Sequence, residues 1–173
     1  MLHCQSVYLR AWQESDIPAL MSLRNDVALQ AMLLARARGS DENKVRLWLA
    51  ERCSGDDRAF YIIANRTDDA ALGYLQLSGM NPIDRNAEIG ICLAPAAQGR
   101  GIGTEVMEWL IDYSIRDLGL HKLSLRVQAD NERAIRCYLK VGFCKCGLYK
   151  QHVFIESSWR DVLLMELILA ADR

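Results

Sequence analysis

The chain reads as an α+β protein built on a mixed sheet, and three observations lead there. Apolar segments follow one another between residues 59 and 93 with only turn-rich breaks between them, which marks antiparallel neighbours. The strongest helical pattern, Thr104–Leu118, is bracketed by strand patterns at Glu88–Leu93 and Lys122–Val127. One strand–helix–strand crossover therefore brings a parallel pair into the sheet. The chain then closes on a long hairpin. With 173 residues and no linker, low-complexity tract or internal repeat, residues 1–173 are read as a single domain.

Val7-Tyr8-Leu9-Arg10-Ala11 alternates apolar and polar residues and is the first strand. Ser15 suits an N-cap, with Asp16 and Pro18 in the first turn and Ile17, Leu20 and Met21 on one buried face. Helical character continues in pieces to about Leu34. Ser40-Asp41-Glu42 opens a further helix, in which Val45, Trp48 and Leu49 form an apolar stripe at helical spacing. Strands follow at Ala59–Ala64 and Leu72–Leu77, joined as a hairpin by the turn formers Asn65-Arg66-Thr67-Asp68-Asp69. A second break, Asn81-Pro82-Ile83-Asp84-Arg85-Asn86, leads into Glu88–Leu93. In Thr104–Leu118 the residues Val106, Met107, Leu110, Ile111 and Ile115 share a face, and Gly119 sits at the stop. Lys122–Val127 is a strand and Glu132–Val141 a helix closed by Gly142. Phe143–Ile155 and Trp159–Leu169 make the last hairpin around Glu156-Ser157-Ser158, bringing the sheet to about seven strands.

Composition narrows the class. Hydrophobic residues are 51% and charged residues 25%, which excludes a disordered or fibrous chain. Lys+Arg 21 against Asp+Glu 22 leaves a net charge of -1, so no polycation awaits nucleic acid. No apolar run approaches the roughly 18 residues needed to span a bilayer. The opening MLHCQSVYLRAW lacks the charged-then-apolar layout of a secretory signal, so a cytoplasmic address and no membrane partner are expected. The six cysteines (Cys4, Cys53, Cys92, Cys137, Cys144, Cys146) have no scaffold spacing and are expected reduced. Cys144-Lys145-Cys146 is too tight for a zinc pair, and His3, His121 and His152 do not cluster with it, so no metal is expected.

The informative stretch is Leu93-Ala94-Pro95-Ala96-Ala97-Gln98-Gly99-Arg100-Gly101-Ile102-Gly103-Thr104, between a strand end and the best helix. Glycines at alternate positions let the backbone approach a ligand and turn its N–H groups outward. The helix start adds unpaired donors and a positive dipole end, which suits a phosphate or pyrophosphate. Gly99-x-Gly101-x-Gly103 is not the dinucleotide spacing G-x-G-x-x-G, and no Lys-Ser/Thr follows as in a Walker loop. A Gly-rich turn that binds nothing is the other reading of this stretch alone.

Here the chain resembles the GNAT superfamily of acyl-CoA N-acyltransferases. Gln98, Gly101 and Gly103 match its Gln/Arg-x-x-Gly-x-Gly/Ala signature. About thirty residues on, Asn131-Glu132-Arg133-Ala134-Ile135-Arg136-Cys137-Tyr138 and Gly142-Phe143 match a second motif. Asn86-Ala87-Glu88-Ile89-Gly90 and the late Asp161…Met165 look like the RimJ/RimL-type branch, which includes ribosomal-protein and polyamine acetyltransferases. The resemblance implies a single-domain fold with helices on both faces of the sheet and a V-shaped splay between the fourth and fifth strands. It implies acetyl-CoA as co-substrate, its pyrophosphate on the N–H groups of Gln98, Gly99, Arg100, Gly101, Ile102, Gly103 and Thr104. The pantetheine arm would lie along Ile91, Cys92 and Leu93. Asn131 matches a cofactor-contacting position, and its side chain equally suits an N-cap.

The reaction sets further requirements. An amine of pKa about 10 is mostly protonated at neutral pH, and only its neutral form attacks a carbonyl, so a base must remove a proton. The tetrahedral oxyanion needs a donor, such as a backbone N–H near Ile91, worth about 3–4 kcal/mol in other acyl-transfer sites. Glu88 matches the family carboxylate on the fourth strand and is the candidate base; a structural ion pair is its other reading. Tyr138 matches the tyrosine that faces the CoA sulfur and is the candidate acid, or else one aromatic of the Ala134, Ile135, Tyr138, Leu139 stripe. Cys92 as a nucleophile lacks a histidine nearby in sequence, so direct attack within a ternary complex is expected.

In the family the acceptor is bound by the first helices and the last hairpin, here Arg24–Arg46 and Lys150–Arg160. The first segment carries Arg24, Arg36, Arg38, Lys44 and Arg46, with acids at Asp26, Asp41 and Glu42. Arg24, Arg36 and Arg38 are taken as substrate-binding, which favours an anion-bearing amine such as a nucleotide-linked amino sugar, or a protein N-terminus. A solvated basic face is the plainer reading. A polyamine is the alternative acceptor, a non-catalytic acyl-CoA sensor on the same fold the alternative function, and a homodimer is compatible with either.

Overall fold

Among the described residues eight strands form one sheet. The computed structural model describes residues 2–3, by backbone alone, and 6–169, so the Cys4 thiol lies outside the described residues. The strands are β1 (Leu2–His3), β2 (Val7–Arg10), β3 (Ala59–Asn65), β4 (Ala71–Asn81), β5 (Asn86–Leu93), β6 (Lys122–Gln128), β7 (Cys144–Ile155) and β8 (Ser158–Ile168). The helices are α1 (Ile17–Asn25), α2 (Val27–Met32), α3 (Glu42–Cys53), α4 (Ile102–Arg116) and α5 (Glu132–Lys140). Sheet order is β1-β2-β3-β4-β5-β6-β8-β7. Only β5 and β6 pair in parallel, joined by the α4 crossover. The seven expected strands are present, and β1 adds a two-residue edge.

Strand alternation divides the apolar residues between two layers. On one face Val106, Met107 and Leu110 of α4 and Ile135 of α5 pack on Ile63, Leu75 and Ile89. On the other, Leu20 of α1 and Val45 and Leu49 of α3 pack on Phe60, Ile62 and Tyr74. Full burial of each such Leu, Val or Ile contributes about 1.5–3 kcal/mol, so both helical layers are anchored to the sheet. Trp48 extends the second core, with its ring centroid 5.3 Å from those of Phe60 and Tyr74.

The entry to α1 differs from the sequence expectation. A 3-10 turn at Glu14–Asp16 precedes the helix, and Asp16, not Ser15, occupies the N-cap position. Asp16 is 3% exposed and binds Arg10 through both oxygens at 2.7 and 2.9 Å, while the Gln13 N–H donates to it at 2.8 Å. A buried guanidinium thus draws the carboxylate inward and moves the helix start by one residue.

Candidate active site

The glycine loop is shaped to present N–H groups. After Leu93 a 3-10 turn at Pro95–Ala97 leads to Gly99 and Gly101, whose φ values of +74° and +83° lie in the left-handed region. Gly101 is the N-cap of α4, and with no side chain it leaves the first-turn N–H groups uncapped. A Cβ at either glycine would meet nothing within 4 Å, so a cradle for an anion lies open there. Gln98 holds the loop in place: its Nε2 donates to the Leu93 carbonyl at 2.7 Å and its Oε1 accepts from Arg133. Ile102 is buried in the core and offers only backbone, and Arg100 is exposed. Asn131 caps α5, accepting from the Ala134 N–H at 3.2 Å, and also lines the same cleft.

The splay is present. Parallel pairing of β5 with β6 runs from Asn86↔Lys122 to Glu88↔Ser124 and stops. Beyond that rung Ile89–Leu93 pairs only with β4, and Leu125–Gln128 only with β8. A cleft of about 1000 Å3 passes through the gap, from Gly99, Gly101 and Gly103 at one end to Arg24, Trp48 and Gln76 at the other. Cys92 lies on the α1–α3 face at 1% exposure, and burial pushes its thiol pKa up to about 12.

Both catalytic candidates line this cleft. Glu88 stands on the last paired rung, and its Oε1 accepts from Arg126 Nε at 2.9 Å. The ion pair foreseen as the plainer reading therefore exists, and it fixes the carboxylate at the cleft mouth, 41% exposed. Tyr138 comes from α5, with its ring centroid 5.9 Å from that of Phe143. Burial, aided by the neighbouring Cys137, raises its hydroxyl pKa above the ordinary tyrosine value and keeps it protonated.

The acceptor arginines are not brought together. Arg24 lines the cleft, its guanidinium 4.5 Å from the Trp48 ring centre. Arg36 and Arg38 do not line it; Arg36 donates to the Phe154 carbonyl on β7, and Arg38 is exposed. Lys44 donates to the Gly39 carbonyl, and Arg46 pairs with Glu14 and Glu42. The chain turns at Leu34, φ +58°, and carries these residues past the cleft. Sequence reasoning missed Arg52, Gln76, Arg126 and Arg133, which do line it. Arg133 stood inside the quoted second motif; the others carry no local signal, because the sheet register (Gln76, Arg126) and the packing of α3 on the sheet (Arg52) make them neighbours.

An anion cradle at a helix start, opening into a splayed parallel pair, is the site arrangement that the resemblance to acyl-CoA N-acyltransferases led us to expect. Residues 6–144 match the family model described as an acetyltransferase (GNAT) domain, and the chain belongs to that family. It is an acetyl-CoA-dependent N-acetyltransferase. The spermidine N(1)-acetyltransferase of Vibrio cholerae is 27% identical over 160 residues, 92% of this chain and 91% of that protein. The Escherichia coli K12 enzyme of the same name is 27% identical over 165 residues, 95% of this chain and 87% of that one. The Escherichia coli ribosomal-protein-serine acetyltransferase is 28% identical, over 59% of this chain and 57% of its own length. The crystal structure of spermidine N-acetyltransferase from Vibrio cholerae in complex with CoA and spermine superposes with a TM-score of 0.87. It is 24% identical and covers 95% of this chain and 96% of that one. Among the described residues no group of three or more His, Cys, Asp or Glu is placed to hold a metal ion. No described helix is long and apolar enough to cross a membrane.

Proposed function

We propose that the chain moves acetyl from acetyl-CoA to a small primary amine by direct attack in a ternary complex. The observation that carries this is a continuous cleft linking the Gly99–Gly101 cradle to Glu88 and Tyr138 through the open β5 edge. CoA phosphates take the N–H groups from Gly99 to Thr104, the Gln98 N–H expected among them being spent on the Pro95 carbonyl at 3.2 Å, and the pantetheine arm adds beside Ile91, Cys92 and Leu93. Glu88, directly or through water, takes the amine proton, a backbone N–H near Ile91 holds the oxyanion, and Tyr138 returns a proton to the leaving thiolate. Dependence on acetyl-CoA supports a cytoplasmic setting for the reaction. Asn86–Gly90 and Asp161…Met165, with the ribosomal-protein relative, support the RimJ/RimL-type branch.

For the acceptor, the charge of the cleft favours an amine that also carries an anion, such as a nucleotide-linked amino sugar. The acids on the lining are Asp26, which caps α2, and Glu88, which is held by Arg126. Arg24, Arg52 and Arg126 surround them, so a polycation meets like charge. The spermidine acetyltransferase relatives favour the polyamine instead. An amine panel decides: initial rates with acetyl-CoA and spermidine, an acidic peptide N-terminus, and UDP-linked 4-amino sugars. Intersecting double-reciprocal plots are expected, with the amino sugar preferred. Parallel plots refute direct transfer, a spermidine preference refutes the acceptor class, and CoA binding without turnover makes the chain a sensor.

A further inference from the structure

The end of the cleft remote from the glycine loop holds two arginines that form no ion pair among the described residues. Arg24 comes from the last turn of α1 and Arg52 from the last turn of α3. The hydrogen bonds of both go to neutral groups. Arg24 Nε donates to Ser40 Oγ at 3.2 Å, and Arg52 donates to Gln76 Oε1 at 3.1 Å. Among the described residues neither makes an ion pair with a carboxylate. The Nε of Arg52 is fully shielded and has no hydrogen-bond partner. The Tyr74 hydroxyl lies within electrostatic reach of both guanidinia, and Trp48 forms the floor under Arg24. Burial lowers the Arg24 pKa, Tyr74 and Glu51 oppose the shift, and the like charge of Arg52 adds to it.

Two half-buried cations facing one cavity repel each other, and a buried N–H without an acceptor is costly. A bound anion offsets the repulsion and accepts from the guanidinium N–H groups that face the cleft. We propose that Arg24 and Arg52, with Gln76 and Tyr74, form a receptor for a phosphate or carboxylate on the acceptor molecule, making Arg52 a specificity-determining residue. The proposal rests on the acyl-transfer reading for the position of the amine. Register then fixes the spacing. Gln76 lies opposite Gly90, and Ser78 opposite Glu88, so Gln76 is one strand across and two residues along from the candidate base. Strand spacing of about 4.8 Å and a two-residue rise of about 6.8 Å give about 8 Å between those positions. The acceptor thus carries its anion roughly 5–10 Å from the amine, the span of one sugar ring or a four-carbon chain.

The test uses amines of one length that differ in the far group: 4-aminobutyl phosphate, 4-aminobutanoate and 4-aminobutanol, with spermidine as the cationic arm, all at constant ionic strength. The wild type is expected to turn over one of the two anionic amines at least tenfold better in kcat/KM than the alcohol. Which of the two wins assigns phosphate or carboxylate. In Arg24→Gln and Arg52→Gln that ratio falls towards one. Equal kcat/KM for anionic and neutral amines in the wild type overturns the receptor, as does a preference for spermidine. If none of these amines is acetylated, the transfer reading fails with them while the receptor is still judged by binding. Inorganic phosphate titrated into the protein is expected to give a saturable tryptophan fluorescence change that is lost in Trp48→Phe and weakened at least tenfold in Arg52→Gln. No saturable change in the wild type, or one that persists unaltered in Arg52→Gln, overturns it.

Discussion

Replacing Gly101 by valine separates cofactor binding from folding more cleanly than any other change in the molecule. The residue sits at φ +83°, where an L side chain costs about 1–2 kcal/mol, with a β-branched one at the upper end. Nothing lies within 4 Å of the added Cβ, so no clash is superimposed on that cost. A domain stable by about 5–15 kcal/mol remains folded after such a loss. The space the valine fills is the space in front of the uncapped N–H groups of α4. Losing two charge-assisted hydrogen bonds there, at about 1.5–3 kcal/mol each, weakens CoA by about 3–6 kcal/mol. That is about two to four powers of ten in Kd. Gly103→Ala is the control, because its Cβ would stand 3.6 Å from Cys137 Sγ and from Leu93 Cδ1, an ordinary contact away from the anion. Calorimetric titration with CoA, beside circular dichroism of each variant, reads both quantities. A folded Gly101→Val protein that binds CoA as the wild type does would refute the cradle.

Glu88→Gln is expected to lower kcat while the acetyl-CoA Kd stays near wild type; an unchanged kcat returns Glu88 to its ion pair with Arg126. Tyr138→Phe should cost roughly 10²-fold in kcat, and because burial raises that hydroxyl's pKa, the proton it supplies is retained as pH rises past the ordinary tyrosine range. Cys92, with a pKa of about 12, is thiolate in only about one molecule in 10⁴ at pH 8, so Cys92→Ser should keep sequential kinetics and mass spectrometry should find no acetyl-Cys92. Arg10→Met strands the buried Asp16 carboxylate, which costs about 3–5 kcal/mol and lowers the melting temperature by about 6–20 °C for a chain of this size; a shift under 2 °C would mean that the Gln13 N–H and water satisfy the carboxylate.

What the sequence made legible was whatever the chemistry writes locally. Val106, Met107, Leu110 and Ile111 announce α4 by period, and Asn65–Asp69 announce a hairpin by composition. Gln98, Gly101 and Gly103 announce a cradle because the backbone there needs positive φ and close approach. Asn131 was readable as a cap for the same reason, since an N-cap side chain reaches only to residues two or three ahead, and Ser40-Asp41-Glu42 was readable as a helix start, where Asp41 is the cap. Ser15 failed by that same logic, because its competitor Asp16 is selected by Arg10, six positions away and on another element.

The end of the cleft proposed for the acceptor was illegible because its members come from α1, α3 and β4 and are joined by packing and register, not by spacing. A count of basic residues between Arg24 and Arg46 weighted five side chains equally, yet only Arg24 among them lines the cleft. Whether a cation contributes to a site depends on whether its partners are neutral, and that is a property of three dimensions. Arg46 has Glu14 and Glu42 and is electrostatically complete. Arg52, from the other end of the same helix, has only an amide oxygen and a sealed Nε. The same helix therefore carries one arginine that stabilises a surface and one that still lacks an anion. This contrast between satisfied and unsatisfied charge, more than net charge, is the ground for proposing an acceptor with a negative group beside its amine, against the polyamine that the spermidine acetyltransferase relatives favour.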